Sequence, residues 1–140
     1  MADHSGYQEI PRDECVGLLA TATVGRIAGT AGGRPFLLPV NYAVDGDRVV
    51  FRTSAGTKLS GTAFGRVAFE IDGFDDADRS WWSVVVEGVA SDISDMVDEQ
   101  STKLRSLDLH PFAPGEKAYW VAIQPESITG RRVRPPADLH

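Results

Sequence analysis

Within residues 52–58 the sequence gathers two cations, Arg52 and Lys58, and three hydroxyls, Thr53, Ser54 and Thr57. A guanidinium and an ammonium group set among hydroxyl donors suit the grip of a phosphate. Ser54 is also a good N-cap, and Ala55 to Leu59 read as the first turn of a short helix. A helix start offers unpaired N–H groups and a partial positive charge to an anion. The same residues equally describe an ordinary strand–helix junction with a solvated Arg and Lys.

The elements that position this cluster come just before it. Asp45-Gly46-Asp47 separates two strand-like runs, Arg34 to Val44 and Arg48 to Thr53. Asp-Gly between alternating apolar runs is a strong hairpin signal, because tight two-residue turns need positive φ. A loop at 45–46 or at 46–47 leaves the same two faces. One face carries Phe36, Leu38, Val40, Tyr42, Val49 and Phe51 and is the expected core side. The other carries Pro39, Asn41, Val50 and Arg52, runs out to Ser54, and is a candidate ligand surface.

Elsewhere the chain alternates strands with short helices. Pro11 to Ala22 predicts a helix with Cys15, Leu18, Leu19 and Ala22 facing the core. Val24 to Thr30 reads as a strand turning through Ala31-Gly32-Gly33, and Arg66 to Asp72 alternates with Val67, Phe69 and Ile71 inward. Gly73 to Ser80 reads as a mobile acidic loop; Asp75, Asp76 and Asp78 lack the glycine and the closing glutamate of an EF-hand loop and read as a solvated turn. Trp81 to Ser91 is the longest strand candidate, and Gly88 inside it predicts a bulge or bend. Adjacent Trp81 and Trp82 must point to opposite faces, so one meets a second surface: solvent, a partner subunit or a planar ligand. Ser94 to Leu107 predicts a helix capped by Ser94, with Val97, Ser101, Leu104 and Leu107 inward. His110 lies in a loop, Tyr119 to Ile123 is a strand broken by Pro125, and Ile128 to Val133 is a last short strand. This order predicts a mainly β fold with inserted helices, a closed or split antiparallel barrel. The glycine-rich dinucleotide fingerprint is absent.

The chain has 140 residues, 42% of them apolar, and reads as a single domain over 1–140 with flexible tails at 1–9 and 134–140. With 14 basic against 20 acidic residues the net charge is −6, which argues against general nucleic-acid or anionic-membrane binding. The single cysteine, Cys15, excludes an internal disulfide and any multi-cysteine metal site, and no metal site is expected. No apolar signal region opens the sequence and no run would span a bilayer, so a cytoplasmic location is expected.

With these residues in view, the chain resembles the pyridoxamine 5′-phosphate oxidase-like flavin proteins, and within them the small bacterial branch that includes the nitroimidazole-resistance proteins. The resemblance rests on Val24-Gly25-Arg26-Ile27-Ala28, Pro39-Val40-Asn41-Tyr42, Phe51-Arg52-Thr53-Ser54, Gly56-Thr57-Lys58-Leu59 and Trp82-Ser83-Val84-Val85-Val86-Glu87-Gly88. Trp120 and Ile128-Thr129-Gly130-Arg131-Arg132 also fit. It implies an FMN-binding split β-barrel homodimer with the cofactor between subunits, and hydride transfer to or from an unidentified small molecule. Arg52, Thr53, Ser54, Thr57 and Lys58 would then surround the FMN phosphate. Pro39, Val40 and Asn41 would lie along the isoalloxazine ring, and Trp82, Ser83 and Trp120 would come from the dimer-related side. Where the true oxidases carry a basic residue this chain has Pro39, and their run of consecutive basic residues is reduced to Lys58. Two alternatives stay open on the same fold: an F420-dependent reductase, and a haem-binding or non-catalytic dimer with His110 as the internal candidate ligand. No residue is assigned a catalytic role.

Overall fold

Gly46 adopts φ 63°, and Asp45 pairs with Arg48 across a two-residue loop at 46–47. The hairpin read from the sequence therefore forms in one of its two equivalent registers. It belongs to a computed structural model that describes residues 7–53, 65–111 and 119–136. Its elements are β1 (Gln8–Ile10), α1 (Arg12–Leu19), β2 (Val24–Ala31), β3 (Arg34–Asp45), β4 (Arg48–Thr53), β5 (Arg66–Asp75), β6 (Ser80–Asp92), α2 (Glu99–Arg105) and β7 (Tyr119–Val133).

The strands form one antiparallel sheet in the order β1-β7-β4-β3-β2-β5-β6, and a further β7–β6 pairing closes it. The long last strand makes the closure. One edge of β7 pairs with β6 from Val121 to Val133, while the other is shared between β4 at its start and β1 at its end. The fold is thus a split antiparallel β-barrel with inserted helices.

Period-two alternation fills the barrel as expected. Phe36, Tyr42, Val49 and Phe51 of the hairpin are buried, with Leu38 and Val40 packed against them. Ile27, Phe69, Ile71, Val84, Val86, Val121 and Ile123 complete the interior. Each such side chain contributes about 1.5–3 kcal/mol by leaving water. α1 closes one end through Cys15 and Leu19, and the Tyr42 hydroxyl donates to the Leu19 carbonyl at 2.5 Å. Burial pushes that phenol up to about 12. Burial likewise raises the Cys15 thiol, which agrees with its reading as a small apolar residue.

Several expectations need correction. Gln8 and Glu9, read as the end of a tail, form β1 together with Ile10, and this strand fills the β7 edge that β4 leaves unpaired. α1 stops at Leu19, so Ala22 lies beyond it and packs on the core from the connection. The acidic stretch after Ile71 is a hairpin: β5 continues to Asp75, Asp75 pairs with Ser80, and only 76–79 turn. Within that turn the Asp78 carboxylate accepts from the Ser80 backbone N–H and hydroxyl.

Pro125 does not break β7. The register shifts between Glu87 and Gly88, leaving Glu126 as the extra residue between Pro125 and Ser127. Proline, which has no N–H, is tolerated at such a bulge. The β7 backbone passes so close to Gly88 that a side chain there would collide with the Gln124 carbonyl. The predicted bulge is real, with its extra residue on the facing strand.

α2 starts later than expected. Asp98 caps it by accepting from the Ser101 N–H at 3.0 Å. Ser94 is used elsewhere: its N–H and hydroxyl both donate to Asp92, and its Oγ accepts from the Trp120 N–H at 2.9 Å. Val97 consequently lies in the solvent rather than on an inner face.

Candidate functional site

The outer face of the hairpin is less polar than its sequence suggests. Val50 is fully buried in a second, smaller core with Ile93, Leu104, Leu109 and Ala122. α2 supplies Leu104, and Trp120, Ala43 and Leu107 pack around the rim. This small core seats the residues that follow it along the strands.

Arg52 lies beside it. Cross-strand register pairs Arg52 with Trp120 and Tyr42 with Phe51, so Asn41, Arg52 and Trp120 fall in neighbouring positions on one outer face. The Arg52 guanidinium carbon sits 5.0 Å from the Trp120 ring centroid, a cation–π geometry. Its Nη1 donates to the Leu109 carbonyl at 3.2 Å. Thr53 is buried, and Asn41 Nδ2 donates to the Thr23 carbonyl at 3.3 Å. Pro39 is exposed and Val40 half-buried, the latter packed on the main core. A guanidinium and an indole thus meet where β4 ends, with Asn41 on the same outer face and Thr53, by its parity with Phe51, on the inner one. Ser54, Thr57 and Lys58 lie outside the described residues.

Trp82 and Ser83 are elsewhere in the same chain. They pair with Arg132 and Arg131 near the end of β7, whereas Trp120 stands at its beginning. The separation is roughly 35 Å along an extended strand. Trp82 is half-buried against the main core and lies over Gly73, so Trp81 is the indole left over. Trp81 is 60% exposed and its ring centroid is 4.7 Å from that of Phe74. Trp120 belongs with Arg52 of its own chain, not with Trp82 and Ser83. His110 is well exposed and pairs with Asp108 at 2.6 Å.

One charged cluster escaped the reading of the sequence. Arg26 on β2 approaches Glu70 at 3.4 Å and Asp72 at 3.6 Å on β5, and Pro39 is its strand partner on the other side. Burial, then the Asp72 hydrogen bond and charge, push Glu70 up to about 7 against the opposing pull of Arg26. The outward alternation of Glu70 and Asp72 was legible; the arginine between them and Pro39 required the strand order. Among the described residues no group of His, Cys, Asp and Glu is arranged to hold a metal ion, and no helix is long and apolar enough to cross a membrane.

Residues 11–132 match the family described as pyridoxamine 5′-phosphate oxidase. The chain belongs to that family. A relative in Mycobacterium tuberculosis, the uncharacterized protein Rv0080, is 39% identical over 131 residues, covering 89% of this chain and 84% of its own. Among solved structures, an FAD binding protein from Mycobacterium smegmatis is 35% identical with a TM-score of 0.74, over 90% of this chain and 97% of that one. A candidate pyridoxamine 5′-phosphate oxidase from Corynebacterium glutamicum is 28% identical with a TM-score of 0.80, over 98% and 100% of the two chains. Members of the family are thus similar to this chain across the whole barrel, and the barrel is a flavin-binding, oxidoreductase-type fold.

Proposed function

We propose that this family member is a flavin-dependent oxidoreductase that works as a homodimer and holds FMN, or the FMN half of FAD, at the subunit interface. The observation that carries the reading is the row of Asn41, Arg52 and Trp120 at the end of β4. A guanidinium laid against an indole directs its N–H groups in its own plane, the geometry in which a phosphate accepts, and stands over a surface that a planar ring can extend. The flavin, when bound, supplies hydride acceptance and donation. The chain's own residues bind and orient: Arg52 and Thr53 take the phosphate, and the β3 segment Pro39-Val40-Asn41 lies along the ring. Trp82 and Ser83 of a second copy would close the cleft, because one chain holds them on β6, beside the far end of β7. The FAD bound by the mycobacterial relative supports a flavin and leaves the choice of nucleotide to measurement.

Titration with FMN, FAD and riboflavin tests this directly. FMN or FAD is expected to bind about tenfold or more tightly than riboflavin, the worth of a charge-assisted contact to phosphate. In Arg52→Ala that preference should collapse while riboflavin affinity holds. Protein that stays colourless and takes up none of the three overturns the reading. Tighter uptake of F420 or haem in parallel titrations would replace the flavin with that group.

A further inference from the structure

In a two-fold dimer one patch serves both copies: where residue i of the first meets residue j of the second, j also meets i. If Ser83 of one copy closes over the Pro39 segment of the other, as proposed above, the axis crosses the outer sheet face midway between those two residues. What lies there therefore rests on the homodimer reading, and strand register names it. Pro39 on β3 pairs with Arg26 on β2, and Arg26 pairs with Glu70 on β5. Asp72, the next outward residue of β5, pairs with Ser83 on β6. The path from Pro39 to Ser83 crosses β2 and β5, and its centre falls between Arg26 and Asp72.

Those two side chains approach at 3.6 Å and stay 49% and 46% exposed. Glu70 is the more sheltered carboxylate, at 31%, and lies at 3.4 Å from Arg26. Around them the outer face is small or apolar. Ala28 pairs with Leu37 on one side and Ala68 on the other, and Leu37 and Val24 are 66% and 40% exposed. A patch with one charge of each sign at its centre and an apolar surround is complementary to itself, because rotation about the axis brings each sign onto its opposite. We infer that Arg26 and Asp72 are the centre of the dimer interface, each Arg26 pairing with the Asp72 of the second copy while its own Glu70 holds it in place. Opposite charges at such a seam set the register of the two copies, and like charges there oppose association.

Sedimentation velocity over a dilution series tests this with two charge reversals. Arg26→Asp would set carboxylate against carboxylate across the axis, and Asp72→Arg would set guanidinium against guanidinium. Each contact occurs twice per dimer, so either variant alone should raise the dimer dissociation constant by about a hundredfold or more. An equimolar mixture of the two should return association to near the wild-type value. Both opposite-charge contacts re-form in the mixed dimer, although the pairing inside each chain stays broken. Circular dichroism checks folding; should Arg26→Asp fail to fold, Arg26→Gln replaces it in the mixture, with partial recovery expected. Variants as tightly dimeric as the wild type, or weakened variants that mixing does not rescue, overturn the assignment, and a monomeric wild type overturns the homodimer with it. Flavin uptake by the wild type, read from absorbance, reports on the cofactor separately. Uptake with unaltered variant dimers overturns the seam alone, and a colourless protein overturns the flavin reading whatever the mixture does.

Discussion

The two ends of β7 use the same materials differently. At the Trp120 end a guanidinium rests on an aromatic ring beneath a roof, because α2 and Leu109 enclose Val50 and Ala122 in a small core next to it. At the Arg131 end a guanidinium again rests on a ring, Tyr7, but among the described residues no helix covers it, and the adjacent row of Phe74, Trp81 and Val133 stays exposed. The difference is one of preorganisation. A roofed arginine has its orientation fixed before any ligand arrives, which lowers the entropic cost of binding. An open one selects by charge and shape and depends on what covers it.

The largest effect should come from removing the roof. Leu104 is 2% exposed, and Leu104→Ala should cost about 2–4 kcal/mol in denaturant unfolding. It should also narrow the preference for FMN over riboflavin, since Leu109 and Trp120 lose their seat. An unchanged preference would show that Arg52 needs no roof.

The Arg26, Glu70 and Asp72 cluster lies on β2 and β5, two strands from the Arg131 end, and its effect should depend on pH. The Glu70 carboxyl is raised from 4.5 to about 7, so the folded state binds its proton more tightly than the unfolded chain. That contribution is present at low pH and is lost as pH rises through the interval from 4.5 to about 7. Glu70→Gln should therefore stabilise the protein at mildly alkaline pH, by about 1 kcal/mol after screening at this partly exposed site, and by little in acid. Equal stabilisation at both pH values would dismiss the shift.

The smallest effect belongs to the open end. Trp81→Ser should change stability by no more than about 1 kcal/mol, the worth of its contact with Phe74. A larger loss, growing with protein concentration, would mean that a second copy already covers this row.

Much of this was legible residue by residue. Asp45-Gly46 announced the hairpin, parity assigned Phe36 to Phe51 to the core, and Gly88 marked the irregular register. What escaped were features whose cause lies on another element. β1 is three residues long and exists because β7 has a vacant edge. Pro125 stays inside a strand because the bulge removes the need for its N–H. Ser94 was a plausible cap until its Oγ accepted from the Trp120 N–H of β7. Val50 looked like part of a polar face until α2 came down on it.

The sequence by itself determined the local chemistry: which side chains alternate inward, where the chain turns, and which cations and hydroxyls lie within a few residues of one another. Those follow from backbone sterics and two-residue periodicity, which act over short distances. Only the tertiary structure decided which arginine rests on which ring, and that Ser83 pairs beside the end of β7 opposite to Trp120. Those placements depend on strand order and closure, set by burial of the whole barrel rather than by any one segment.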